Sequence, residues 1–360
     1  MFSRALESYY VPGVALLIFS AFLLTDQIFS RRGKKLFLLE AGILLLLIAD
    51  TWIDGVLSAE SLGGIAWKLR TATTFVEFSL SPSPLMILVL IYKADSMKGM
   101  QRLFFVPHLC NLLLCVSSVF TGSIFQISPE NYYSRGPLFF IPFTITAFYM
   151  FSLLFFAGKQ KNKPSRRIET NFILSVMAAV ALASLLEIFA EMWFLIWGTA
   201  GICTILYFLL LMTQKILYDP VTGSLSRVAY EKQREKISSN MTGTVAMIDL
   251  NNLKQINDRS GHSAGDAAIC GVAAAIYKTK SKHMRLYRYG GDEFVLLSNR
   301  LCGDEMGRIL SDAQKCCIAA PNFPYSFAYG VAEYHSGEEM SQAIANADAS
   351  MYRCKQRMKA

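Results

Sequence analysis

The chain has 360 residues, 53% of them hydrophobic and 17% charged, with a formal net charge of +8, a pI near 9.0 and a mean hydropathy of +0.35. That length accommodates two domains, and the apolar excess lies almost entirely before Tyr218, so only the first part has the composition of a membrane protein. The positive charge is a poor argument for a nucleic-acid partner, because many basic residues flank apolar spans, where the cytoplasmic-side bias of Lys and Arg accounts for them. The eight cysteines (Cys110, Cys115, Cys203, Cys270, Cys302, Cys316, Cys317 and Cys354) form no C-x-x-C pair, which leaves no zinc ribbon or thioredoxin-type motif and predicts free thiols.

Apolar segments of membrane-spanning length cover residues 9–29, 36–57, 71–92, 103–120, 138–157, 171–189 and 192–212. They predict an all-α polytopic bundle of about seven helices. Arg4 followed by an apolar run resembles a secretory signal, but it lacks a small-residue cleavage site, and an uncleaved first span is expected. The connections after the first, third and fifth spans carry Arg31, Arg32, Lys34 and Lys35; Lys93, Lys98 and Arg102; and Lys159, Lys161, Lys163, Arg166 and Arg167. The opposite side carries only Arg4, Lys68, Arg70 and Arg135, so the N terminus is expected outside and the C terminus inside a bacterial cytoplasmic membrane. Glu187 and Glu191 interrupt the last pair of spans, but charge on either side requires an even number of crossings there.

Asp26, Glu40, Asp50, Asp54, Glu77, His108, Asn111 and Glu187 fall within or at the ends of these spans. A carboxylate at bilayer depth costs about 2.5–3.5 kcal/mol on insertion scales, so the deep ones should face the bundle interior, either gluing helices together or binding something. Asp50 and Glu77 are the leading candidates for a sensory ligand of unspecified chemistry. Ser81-Pro82-Ser83-Pro84 should kink the third span, since proline removes helix hydrogen bonds. The connecting segments are short, the longest outer one covering residues 121–137, so a signal would be read within the bundle.

The division expected is a transmembrane sensor region over 1–212, a short linker helix over 213–218 and a separate domain over 219–360. From Asp219 onward short strands alternate with amphipathic helices, the pattern of an α/β or α+β domain. Asp219-Pro220-Val221-Thr222-Gly223 reads as a turn. Residues 242–250 form a β-rich apolar run with Asp249 near its C-terminal end, an edge that ligands favour. A short helix follows over 251–258, and a longer one opens after Gly261-His262-Ser263-Ala264-Gly265-Asp266. An EF-hand is excluded at Asp249, because Leu253 stands at the third ligand position and no loop glycine follows. Residues 284–289 and 294–297 read as hairpin arms around Gly290-Gly291-Asp292-Glu293. Adjacent glycines admit close approach to the main chain, and the two acids suit a hard divalent cation on phosphate oxygens.

The runs DLNNLKQINDRSGHSAGD (249–266) and RYGGDEF (288–294), with DPVTGSLSR (219–227), SFAYGVAE (326–333) and the closing ADASMYRCK (347–355), together resemble the GGDEF diguanylate cyclases over about 218–360. The resemblance implies a central, mostly antiparallel sheet flanked by helices, similar to the nucleotide cyclase and polymerase palm. It implies condensation of two GTP to cyclic di-GMP with two pyrophosphates released. It also implies Asp249, Asp292 and the Leu250 carbonyl as ligands of two Mg²⁺ ions, with Mn²⁺ as a substitute, and Asp292 and Glu293 as catalytic groups. Asn257 and Asp266 would read guanine. The Asn252 and Leu253 amides, Gly290, Gly291, Lys254, Lys355 and Lys359 would hold phosphates.

Two departures stand out. The family tail Lys-x-x-Gly-Arg-Asn is replaced by Lys355-Gln356-Arg357-Met358-Lys359, and the Arg-x-x-Asp of the inhibitory product site is replaced by Ser281 and Met284, so that site is expected absent. Asn251 also stands where an aspartate is frequent. One domain carries one GTP, so the working species would be a two-fold homodimer, held in membrane lipid. The alternatives are a catalytically silent receptor for GTP or a cyclic dinucleotide, and a transporter with a regulatory tail.

Overall fold

The computed structural model describes residues 2–26, 29–59, 65–92, 101–159, 164–189, 195–237, 241–319 and 325–358. It divides into two compact units, Met1–Met212 and Thr213–Ala360.

The first unit is helical: α1 (Phe2–Thr25), α2 (Arg31–Ala59), α3 (Ala66–Leu80), α4 (Ser83–Tyr92), α5 (Gln101–Thr121), α6 (Ile141–Lys159) and α7 (Pro164–Phe189) lie within it, and α8 (Ile196–Leu217) begins in it. Six described stretches are long and apolar enough to cross a membrane, Arg31–Ser58, Ala66–Tyr92, Leu103–Thr121, Ile141–Gly158, Arg167–Glu187 and Ile196–Leu217, and a shorter apolar helix covers Tyr9–Thr25. Helices suit that setting because each satisfies its own backbone groups where no water is at hand. Outward faces carry apolar side chains such as Leu17, Ile18, Leu113 and Phe151, while Phe208 of α8 stacks on Phe29 at 4.7 Å and meets Phe19 and Phe37 edge-on at 5.2 Å.

The third span is broken rather than merely bent. α3 ends at Leu80 and α4 starts at Ser83. Pro82 has no N–H for the carbonyl of Phe78, and the buried Asn111 of α5 supplies it instead, donating to Phe78 O at 2.9 Å and to Ser79 O at 3.2 Å. Asn111 is therefore glue, as is Glu187, whose Oε1 accepts from the Leu195 and Ile196 amides at the start of α8. The connection between α5 and α6 folds into a small hairpin, β1 (Phe125–Ile127) with β2 (Tyr133–Arg135), which the sequence pattern does not announce. Lys93, Lys98, Lys161, Lys163 and Glu191 lie outside the described residues.

The second unit holds α9 (Arg227–Glu235), β3 (Gly243–Leu250), α10 (Leu253–Ser260), α11 (His262–Thr279), β4 (Met284–Arg288), β5 (Glu293–Ser298), α12 (Gly303–Ile318), β6 (Phe327–Tyr334) and α13 (Met340–Arg357). Its described strands make one sheet in the order β4-β5-β3-β6, antiparallel throughout. Alternation along β3 sends Ala246, Ile248 and Leu250 into a core shared with α11 and α12, and Val245 and Met247 into a second core under α13. Gly330 of β6 lets α13 come close: a Cβ there would overlap backbone at Ala347 and Met351. That approach decides what the end of α13 can reach.

Candidate functional site

Period-two alternation puts Asp249 on the same face as Val245 and Met247, the face that α13 covers. The register sets Asp249 directly opposite Glu293 of β5 and opposite Ala328 of β6. Leu250 N donates to Asp292 O at 3.1 Å, so the strand end and the glycine turn are locked to each other at the backbone. Asp249 is 7% exposed and Leu250 is buried, whereas Asp292 and Glu293 are half-buried at the rim.

The turn itself is closed by Tyr289 N and Gly290 N, both donating to Glu293 O. A Cβ at Gly290 would stand 2.7 Å from Glu293 Oε2, while Gly291 faces open space. The first glycine makes room for the acid, and the second leaves the backbone bare. Burial pushes the Glu293 carboxyl above the usual range, helped by the charges of Asp249, Asp292 and Asp348 and opposed by Lys355. Lys355 of α13 reaches Asp249 Oδ1 at 2.5 Å.

Two contributors were not singled out from the sequence. Asp348 lies two turns before Lys355 on α13, and that spacing of seven puts both on one helix face, a signal the closing motif contained. Arg288 braces the turn: its Nε and Nη2 donate to Gly291 O at 3.3 and 2.7 Å, and its Nη1 reaches both oxygens of Asp219 at 3.0 and 3.1 Å. Asp219 opens the turn at the start of the domain, where its Oδ1 also accepts from Thr222 N and Thr222 Oγ1. Burial would raise its pKa, but the Thr222 and Arg288 hydrogen bonds outweigh it and hold the carboxyl below its ordinary value.

On the other side of the strand end, Asn252 takes a left-handed conformation (φ +58°) and no side chain caps α10, so bare amides open that helix. A helix N terminus of this kind favours anions. Lys254 is exposed on the first turn of α10. Asn257 faces the start of α11: a Cβ at Gly265 would overlap its Oδ1, which is buried without a hydrogen-bond partner. Asp266, the next residue, is exposed. Asn257 thus packs against the first turn of α11, one residue before Asp266. Lys359 lies outside the described residues. At the replaced inhibitory positions, Ser281 is a turn residue and Met284 is buried in the core at the start of β4.

No three Asp, Glu, His or Cys groups among the described residues converge as a ready-made metal cage. That donor set still fits Mg²⁺, which keeps several waters and takes only one or two carboxylates when it arrives on phosphates.

The family described as diguanylate cyclase, GGDEF domain, matches residues 216–360. Diguanylate cyclase DosC of Escherichia coli K12 is 32% identical over 135 residues, 35% of this chain and 29% of that protein. Diguanylate cyclase DgcP of Pseudomonas aeruginosa is 30% identical over 154 residues, 39% of this chain and 23% of that protein. An uncharacterised 19.3 kDa protein of Streptomyces ambofaciens is 30% identical over 148 residues, 39% of this chain and 78% of that protein. The GGDEF domain of TpbB (YfiN) from Pseudomonas aeruginosa, solved without the residues before it, is 26% identical over 39% of this chain and 89% of that one, with a TM-score of 0.34. The chain spans under a third of the length of the first of these cyclases. Through its second unit, the chain belongs to the GGDEF family.

Proposed function

We propose that this GGDEF protein condenses two molecules of GTP into cyclic di-GMP and two pyrophosphates at the end of β3, and that its membrane region regulates that reaction. The observation that carries the reading is the pairing of Asp249 with Glu293 across β3 and β5, with the Asp292 carbonyl bonded to Leu250 N at the same end. Three acids on one rim beside uncapped amides suit a triphosphate that brings its own cations.

In this account Asp249, the Leu250 carbonyl and Asp292 would hold two Mg²⁺ ions, which would neutralise the phosphates and acidify the attacking 3′-hydroxyl. The Asn252 and Leu253 amides would cradle the distal phosphates, with Lys254, Lys355 and Lys359 as the cations around them. Asp292 takes the hydroxyl proton as the 3′-oxygen bonds to the α-phosphorus of the facing nucleotide, and pyrophosphate carries away the electron pair. Glu293 supports the cation end of the site. Asp266 accepts from guanine N1–H and the exocyclic amine, while Asn257 reads the neighbouring edge. Adenine presents an acceptor at N1 and leaves those groups unpaired, which selects GTP.

Each domain brings one nucleotide, so two chains meet face to face as a homodimer. The basic residues around the apolar spans favour an N terminus outside the cytoplasmic membrane and the GGDEF domain in the cytoplasm. The last apolar span and the start of the second unit share one helix, α8, so a signal in the bundle has a covalent route to the meeting of two domains.

The test is incubation of the purified chain with GTP and Mg²⁺ and identification of the nucleotides formed, with Asp292→Ala as control. Cyclic di-GMP from the wild type alone supports the reading. Bound but unconverted GTP would make the protein a silent receptor instead.

A further inference from the structure

The geometry points to a binding site for a small organic cation, bearing one or more ammonium groups, between α2 and α3 beneath the hairpin of the first unit. Thr73 of α3 donates to Asp54 of α2 at 2.9 Å, and one helical turn further along that seam come Asp50 of α2 and Glu77 of α3, while Glu187 of α7 lies within charge reach of Glu77. Two of the four are already answered. Asp54 pairs with Arg70 at 3.2 Å and accepts from Thr73 at 2.9 Å, and Glu187 caps α8 through two backbone amides.

Asp50 and Glu77 are different. No described Lys, Arg or His pairs with either. Asp50 is 6% exposed, and its Oδ2 is buried with no hydrogen-bond partner. Anionic oxygen left without a donor in such surroundings is costly, so a mobile cation is the natural complement. The absence of any three metal-type ligands converging among the described residues argues against a bare divalent ion. It favours a larger cation that spans the two carboxylates, one on α2 and one on α3.

The hairpin completes the site from above. Asn131 at its tip accepts from Arg70 Nη1 at 2.8 Å and donates to Leu57 O at 3.0 Å, while Phe125 stacks on Phe78, the neighbour of Glu77. The charge of Glu77 reaches Tyr133 on β2. The hairpin is therefore clasped to the same arginine that neutralises Asp54, leaving Asp50 and Glu77 for the ligand. A ligand gripped there would bear on α2, α3 and the hairpin together. This site needs no turnover to be observed, so it stands or falls separately from the cyclase reading.

The experiment is equilibrium binding of radiolabelled putrescine to the full chain in detergent micelles at fixed ionic strength. Saturable binding is expected, weakened tenfold or more in Asp50→Asn and Glu77→Gln and unchanged in Glu130→Gln, an exposed acid of the same hairpin. Binding that does not saturate, that survives both substitutions, or that equal concentrations of Ca²⁺ or Na⁺ displace as well as unlabelled amine would overturn the proposal. If the substituted chains do not fold, carbodiimide coupling of the wild type decides: putrescine should protect Asp50 and Glu77 from modification, and equal labelling with and without it would overturn the assignment.

Discussion

Lys355 Nζ sits 2.5 Å from Asp249 Oδ1, tying the last helix to the end of the central strand. With Lys355 a quarter exposed and Asp249 nearly covered, the pair contributes modestly to stability but fixes where the carboxylate points. Lys355→Ala should therefore fold normally and lose about 10²-fold in GTP turnover, the scale of removing one preorganised charge partner. A kcat/KM within twofold of wild type would show that the ammonium is only a structural tether.

Arg288 should matter more for stability. Its fork holds Asp219 and the Gly291 carbonyl at once, in surroundings where both charged side chains are 15% exposed. Arg288→Ala should cost about 2–3 kcal/mol, or roughly 4–12 °C in the unfolding of this unit, followed by calorimetry of the full chain. Arg288→Lys should not restore it, because an ammonium cannot make the same forked contact.

How much of this was legible beforehand depends on the residue. Asp249, Asp292 and Glu293 could be singled out because strand alternation and a glycine turn are local patterns, whereas the antiparallel sheet came from the resemblance to the GGDEF family. Arg288 was passed over because its partner Asp219 lies 69 residues away, and no periodicity links the two. The hairpin of β1 and β2 escaped because three-residue strands carry almost no alternation. The kink at Pro82 was visible, but the repair by Asn111, 33 residues beyond the Phe78 carbonyl it meets, was not.

The nucleotide base gives a third prediction. Gly265→Ala would drive a methyl group into Asn257 Oδ1 and should raise KM for GTP about tenfold with little change in kcat. Asp266→Asn should lower the preference for GTP over ATP by about 10²-fold, since the amide no longer accepts two hydrogen bonds. Competition between the two nucleotides measures both.

Glu293 gives a pH-dependent one. Its carboxyl is harder to ionise folded than unfolded, because of burial and then the charges of Asp249, Asp292 and Asp348. Folding stability is therefore withdrawn as pH rises through the carboxylate range and is restored below the unfolded value. Glu293→Gln should unfold at a higher temperature than wild type at about pH 7, with the gap closing near about pH 4, while turnover falls. A variant less stable at neutral pH would contradict the assigned cause.

The account as a whole rests on Asp249 acting together with the glycine turn on a cation-bearing triphosphate. The most direct measurement is the rate of cyclic di-GMP formation from GTP and Mg²⁺ by the full chain and by Asp249→Asn, with folding checked by thermal unfolding. The account predicts product from the wild type and a loss of at least about 10³-fold in the folded variant. Equal rates from both, or no product from a wild-type chain that binds GTP, would contradict it.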